Sequence, residues 1–212
     1  MKEIVRPESL HLQAYTILKD TIITGDRKPA ERIVEAKVAS ALGISRGPVR
    51  EAIRMLIQDG LLHYNGGYVK VYEPDVADIK ELFQCRESLE VLAVSLAIDV
   101  QDSKMFDRLE KNMKQTEKAI NEKKDLTQMD QDFHTIILES SKNEHLIRLL
   151  DMIKTKIHYM RSTMEANFYP TLLEEHQRLY EAMLEGDKTK AIDLMHAHIQ
   201  KGLNNVLKTI EA

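Results

Sequence analysis

Two short helical segments that meet at Gly43-Ile44-Ser45 restrict the fold of this chain more than any other feature. The first, Glu35 to Leu42, is closed by Gly43. The second opens after Ser45, a good N-cap residue, and tolerates Pro48 because the proline falls within its first turn. Two helices separated by about three residues that include a glycine have the spacing of a helix-turn-helix. Upstream, Leu10, Ala14, Ile17, Leu18 and Ile22 recur at helical spacing until Gly25 stops the helix. Downstream, LLHYNGGYVKVYE sets two β-branched and aromatic runs around Asn65-Gly66-Gly67, a strong hairpin signal. Helix, helix-turn-helix and two-stranded hairpin is the order of a winged helix.

Beyond Pro74 every segment has helical period: residues 75–100, 103–122, 126–140, 143–166, 170–184 and 188–210. Asp102 and Asn143 are positioned as caps, Pro170 at a first-turn position and Gly186 as a stop. The expected fold is therefore mainly α: a winged helix-turn-helix of three helices and a two-stranded wing in residues 1–73, joined to an all-α bundle of six to seven helices in residues 74–212. Charge divides at the same seam. Residues 1–72 hold 11 Lys+Arg against 8 Asp+Glu, and residues 73–212 hold 19 against 26. A basic first third joined to an acidic remainder suggests a module that faces nucleic acid.

The longest apolar runs, such as VLAVSLAI, fall short of the roughly 20 residues of a membrane span, and MKEIVRPESL lacks the apolar core of a signal peptide. A cytoplasmic protein with no membrane partner is expected. With Cys85 as the single cysteine, any metal site must use His and carboxylates.

Arg46, Arg50 and Arg54 lie four apart in the second helix of the helix-turn-helix. With about 100° per residue, Ala52, Val49, Leu56 and Ile53 fall on one side and the arginines on the exposed flank. Such arginines can simply solvate a helix or pair weakly with Glu51 or Asp59. At a helix N-terminus, however, Arg46 and Arg50 can reach guanine edges or phosphates, small Gly47 lets the backbone approach, and Lys70 in the hairpin can touch the adjacent backbone.

The stretch EAKVASALGISRGPVREAIRMLIQDGLL, with the hairpin after it, resembles the winged-helix domain of the GntR family of bacterial transcription regulators. The resemblance implies that Arg46 and Arg50 contact operator DNA, with Ser45 and Gly47 beside them and Gly67 in the wing. Two departures stand out. Lys28-Pro29-Ala30 replaces a frequent Pro-Gly, and Ala36 stands where some members carry an arginine, leaving Lys37 as the substitute.

In the bundle, MDQDFHTIIL sets Asp130 and His134 at i,i+4, a spacing that lets two side chains converge on one metal ion or share a buried hydrogen bond. His176 lies mid-face among Leu172, Leu173, Leu179, Tyr180 and Met183, where an imidazole needs a partner, as structural core histidines also do. His196 and His198 flank the stripe of the last helix on opposite sides, so periodicity does not choose between them. Arg86 and Glu90 share an apolar face of the first bundle helix and can pair with each other. Arg161, at a stripe edge, reads as exposed, with a second anion contact as the alternative.

The bundle resembles the FCD effector domain of the FadR-like branch of that family. This resemblance implies a metal site of Asp130, His134, His176 and His198, leaving His196 outside it. Such a donor set suits a divalent ion such as Zn, Ni or Mn with positions open to water or a ligand oxygen. It also implies effector binding by Arg86, with Glu90 beside it; a guanidinium next to a metal suits a small organic acid. The expected function is that of a ligand-responsive transcription regulator, a repressor, acting as a homodimer on double-stranded operator DNA and not as an enzyme. A metal-dependent hydrolase and a pure metal sensor are the alternatives.

Overall fold

The computed structural model describes residues 9–163 and 171–211, and the chain divides into two compact units, Met1–Glu73 and Pro74–Ala212. The expected helix ends at Ala166 and Pro170 lie outside the described residues.

In the first unit, α1 (Leu10–Ile23) packs on α3 (Arg46–Gln58), and α2 (Glu35–Leu42) leads into α3 through Gly43, whose φ of 65° ends α2 in the left-handed conformation. Ala14, Leu18 and Ile22 of α1 meet Val49, Ala52, Ile53 and Leu56 of α3 in the core, while Leu10 and Ile17 are exposed. The buried stripe of α1 is thus narrower than its sequence suggests, because one neighbouring helix covers it.

The wing is the antiparallel pair β2 (Leu62–Asn65) and β3 (Tyr68–Val71), with Asn65 opposite Tyr68. Gly66 and Gly67 both have positive φ, 55° and 93°, as a two-residue type I′ turn requires. The sheet has a third member beside the expected two-stranded wing. The strand β1 (Arg32–Ile33) pairs with the other edge of β3, giving the order β1-β3-β2. Two residues are too few for alternation to register in sequence; the strand exists because β3 offers it a free edge. Just before it, Glu31 N donates to Lys28 O at 3.0 Å, which closes a turn with Pro29 and Ala30 at its centre.

In the second unit, six helices follow among the described residues: α4 (Val76–Val100), α5 (Ser103–Asn121), α6 (Thr127–Ser140), α7 (Glu144–Thr163), α8 (Leu172–Leu184) and α9 (Lys188–Glu211). Asp102 accepts from Lys104 N at 3.0 Å, and Asn143 from Leu146 N at 3.1 Å, each satisfying a donor that a helix start would leave open. Helix α4 is the hub, packed against α6, α7 and α9. Its buried face carries Ile79, Phe83, Ala93, Val94 and Ala97. Phe133, Ile137, Met160, Leu179, Met183, Met195 and Ile199 complete the core around it. No helix among the described residues is long and apolar enough to cross a membrane.

Candidate functional site

Inside this apolar core the second unit buries seven carboxylate, guanidinium or imidazole side chains among the described residues: Arg86 and Glu90 from α4, Asp130 and His134 from α6, Arg161 from α7, His176 from α8 and His198 from α9. One ligand atom from each of Asp130, His134, His176 and His198 lies within 4.8 Å of the others. Asp130 Oδ1 is at the centre, 3.2 Å from His176 Nε2 and 3.5 Å from Nε2 of both His134 and His198. The Nε2 atoms of His134 and His198 are 2.9 Å apart.

The outer nitrogens explain this convergence. His134 Nδ1 faces Glu90 Oε2 in a short contact, and His198 Nδ1 is 2.9 Å from Glu175 Oε2. With each Nδ1–H donated to its carboxylate, both Nε2 atoms direct lone pairs at one another and at an aspartate oxygen. Acceptors crowded in this way need a cation between them. His176 adds to the demand, since neither of its ring nitrogens, nor Asp130 Oδ1, has a hydrogen bond of acceptable geometry despite full burial. Its ring is instead fixed by stacking on Phe133, with centroids 3.7 Å apart and planes within 8°. Metal bonds of about 2.0–2.2 Å place neighbouring donors roughly 3.0–3.5 Å apart, the range of the three Asp130–histidine separations, so the four residues are a set that can hold a metal ion. The Glu90 and Glu175 carboxylates behind His134 and His198 orient the two rings, as the outer hydrogen-bond partners of metal-ligating histidines do.

Electrostatics are arranged to match. Burial alone would raise the Glu90 carboxyl, but the pull of His134 and Arg86 outweighs it and holds the group below the usual carboxylate range. Asp130 is likewise held well below its ordinary value, because Arg161 and His134 overcome the cost of burial. Burial pushes His176 down to about 3, so its imidazole is neutral and ready to act as a ligand. His198 moves the other way: burial opposes its charge, yet Asp130 and Glu175 raise it.

Next to the cluster is a small cleft lined by Arg86, Glu90, Asp130, Gln131, His134, Lys154, Ile157 and Arg161. Arg86 Nε donates to Glu90 Oε1 at 2.7 Å, so the two pair as their spacing allowed and also line the cleft. Arg161 corrects the sequence expectation. It is buried at 8% exposure and pairs with Asp130 Oδ2 in a short contact. A Cβ on Gly202 of α9 would lie 3.3 Å from its guanidinium, so the glycine makes room for this arginine. Glu175 and Lys154 were not anticipated at all. Glu175 precedes His176 in an ordinary charged helix stretch, and nothing in the period of α7 separates Lys154 from a solvated lysine. His196, by contrast, is half-exposed and pairs with Glu87 at 3.0 Å, away from the cluster.

In the first unit, Ser45, Arg46, Gly47 and Arg50 are exposed around the N-terminus of α3, as are Lys37 on α2 and Gly67 in the turn. A Cβ at Gly47 or Gly67 would meet nothing within 4 Å, which leaves both positions open to a large partner. Arg50 is not idle: its Nε and Nη2 donate to the Glu35 carboxylate at 3.1–3.3 Å, across the turn between α2 and α3. Arg54 pairs with Glu51 at 3.4 Å.

Comparison with known proteins follows this division. Residues 10–68 match the family described as bacterial regulatory proteins, gntR family, and residues 81–201 match the FCD domain. The chain is 34% identical over 213 residues to the uncharacterized HTH-type transcriptional regulator YdhC of Bacillus subtilis (strain 168), covering 97% of this chain and 95% of that one. It is 28% identical over 202 residues to the HTH-type transcriptional repressor GlaR of Escherichia coli (strain K12), covering 89% and 91%. Among solved structures, E. coli McbR/YncC superposes with a TM-score of 0.79 at 22% identity, over 95% of this chain and 99% of that one, a likeness of fold.

Proposed function

The chain belongs to the GntR family of bacterial regulatory proteins and carries an FCD domain, and from that premise we propose that it is a repressor whose hold on operator DNA is set by a small organic acid. Arg46 and Arg50 contact the DNA from the start of α3, aided by the helix dipole and by exposed backbone N–H groups; Ser45, Gly47, Lys37 and Gly67 flank them. The protein acts as a homodimer on two half-sites in the cytoplasm.

The observation that carries the effector reading is the set of inward-facing donors: Asp130 Oδ1 and three imidazole nitrogens, backed by Glu90 and Glu175, beside a cleft with buried guanidinium groups. These residues would hold a divalent ion such as Zn, Ni or Mn, which when bound attracts a carboxylate oxygen as a Lewis acid. Arg86 and Arg161 supply forked donors for the same carboxylate. The cleft lining contains no serine or cysteine, which favours a receptor over a covalent catalyst. An acid that binds one conformation of the protein better than another shifts the population, and with it the DNA affinity.

The test is a DNA titration on sequences selected by the protein from a random pool, after metal analysis of the purified protein. The effector reading expects stoichiometric metal and a DNA affinity that changes with added carboxylates. A response to metal removal and return with no organic ligand needed would make the protein a metal sensor instead.

A further inference from the structure

Three arginines stand on the exposed flank of α3, and each is held differently. The Arg46 side chain has no ion pair among the described residues. Arg54 pairs within its own helix, from Nη1 to Glu51 at 3.4 Å. Arg50 is tied to another helix: its Nε lies 3.3 and 3.2 Å from Glu35 Oε1 and Oε2, and its Nη2 lies 3.1 Å from Oε2. Glu35 opens α2 and Arg50 is in the second turn of α3, so this fork spans the helix-turn-helix.

The edge of the guanidinium that Glu35 occupies decides what remains. Its carboxylate takes the donors along the Nε side, which leaves both hydrogens of Nη1 and the second one of Nη2. These free donors form the end-on fork, and an arginine fork matches O6 and N7 of a guanine in the major groove. Held on one edge, the group cannot swing to a neighbouring phosphate without giving up its carboxylate. Charge acts in the same direction. Arg50 and Glu35 together are nearly neutral, so phosphates attract the pair weakly, while its hydrogen-bond match to a base edge is unimpaired.

We propose that Glu35 is a positioning residue for base recognition: it aims Arg50 at a guanine of the operator and withholds it from phosphate, while Arg46, with no such partner, serves the DNA backbone. This deepens the reading of Arg50 as a DNA contact, on which it rests.

Sequences selected from a random pool by the full chain and by its Arg50→Ala variant identify the position whose guanine preference depends on Arg50. Binding to that sequence and to its single-base variants at that position is then titrated over a range of salt. Glu35→Gln, which keeps the size of the side chain and removes its charge, should lower the guanine preference at least about fivefold. Its salt dependence should steepen by about one phosphate contact, as the released arginine turns to the backbone. A carboxylate that merely joined two helices would leave the preference unmoved. Glu51→Gln, which frees Arg54 instead, should keep the parent's preference. A guanine preference in Glu35→Gln equal to the parent's overturns the proposal with Arg50 still a DNA contact, and so does an Arg50→Ala protein that loses affinity without losing preference at any position. Arg50→Ala binding as tightly as the parent removes the contact and the proposal together.

Discussion

His134 and His198 face each other through Nε2 atoms 2.9 Å apart, while Glu90 and Glu175 hold the opposite nitrogen of each ring. The carboxylates fix both lone pairs inward, so the pair is organised to receive a cation before one arrives. With Asp130 and His176 the set is closed on the protein side.

Replacing His176 and His198 together by alanine should therefore abolish stoichiometric binding of Zn, Ni or Mn, measured by metal analysis after dialysis. His196→Ala should retain it, because that imidazole points to Glu87 at the surface. Loss of metal in the His196 variant would show that the wrong histidine of α9 has been assigned.

In metal-free protein the histidines make stability depend on pH in two directions. His176 is depressed from 6.5 to about 3, so below pH 6.5 the unfolded chain takes up a proton that the folded one refuses, and stability falls as pH drops. His198 is raised, so its contribution is complete below 6.5 and is lost as pH climbs through the folded value. Urea unfolding in the presence of chelator should show greatest stability near pH 6.5. His176→Asn should flatten the acid side, at up to about 1.4 kcal/mol per pH unit. An unchanged acid slope in that variant would contradict the assignment.

Arg161→Met should destabilise the metal-free protein by roughly 3–5 kcal/mol, because Asp130 is 2% exposed and loses its cationic partner. A divalent ion replaces part of that charge. Thermal unfolding should thus show a larger metal-induced rise in the variant than in the parent; equal rises would mean that Asp130 does not face the ion.

Arg50→Ala should weaken binding to selected operator sequences by about 1–3 kcal/mol without shifting the unfolding of the second unit. The Glu35 pair that it also removes is exposed, so its loss should matter little to stability. Operator affinity equal to the parent's would remove Arg50 from the contact set.

Ala30 has φ 62° at the third position of the turn closed by Lys28 and Glu31, where a type II turn prefers glycine. The lysine-proline-alanine departure seen in sequence is therefore a strained position. Ala30→Gly should stabilise the strand beside it by about 0.5–1 kcal/mol after the entropy of the unfolded glycine is counted. Exchange of the Val71 amide, which donates to Glu31 O at 2.9 Å, should slow by up to roughly fivefold. Faster exchange would show that the turn does not limit the sheet.

Much of this protein is written locally. Apolar period, Gly43, Asp102 and Asn143 set the helices, Asn65-Gly66-Gly67 sets the hairpin, and Asp130 with His134 sets half of the donor group, because each depends on residues within a turn or two of one another; Ser45 stands at the N-cap of α3 without a capping side-chain bond. Period did not separate His196 from His198, since the two flank one stripe; only the packing of α9 on α4 and α8 places His198 inward. The same holds for Arg161, which the sequence put in solvent and the fold pairs with Asp130, and for Lys154, Glu175 and the strand β1. Which element faces a side chain depends on where separate helices and strands cross, and no repeat within one segment encodes that.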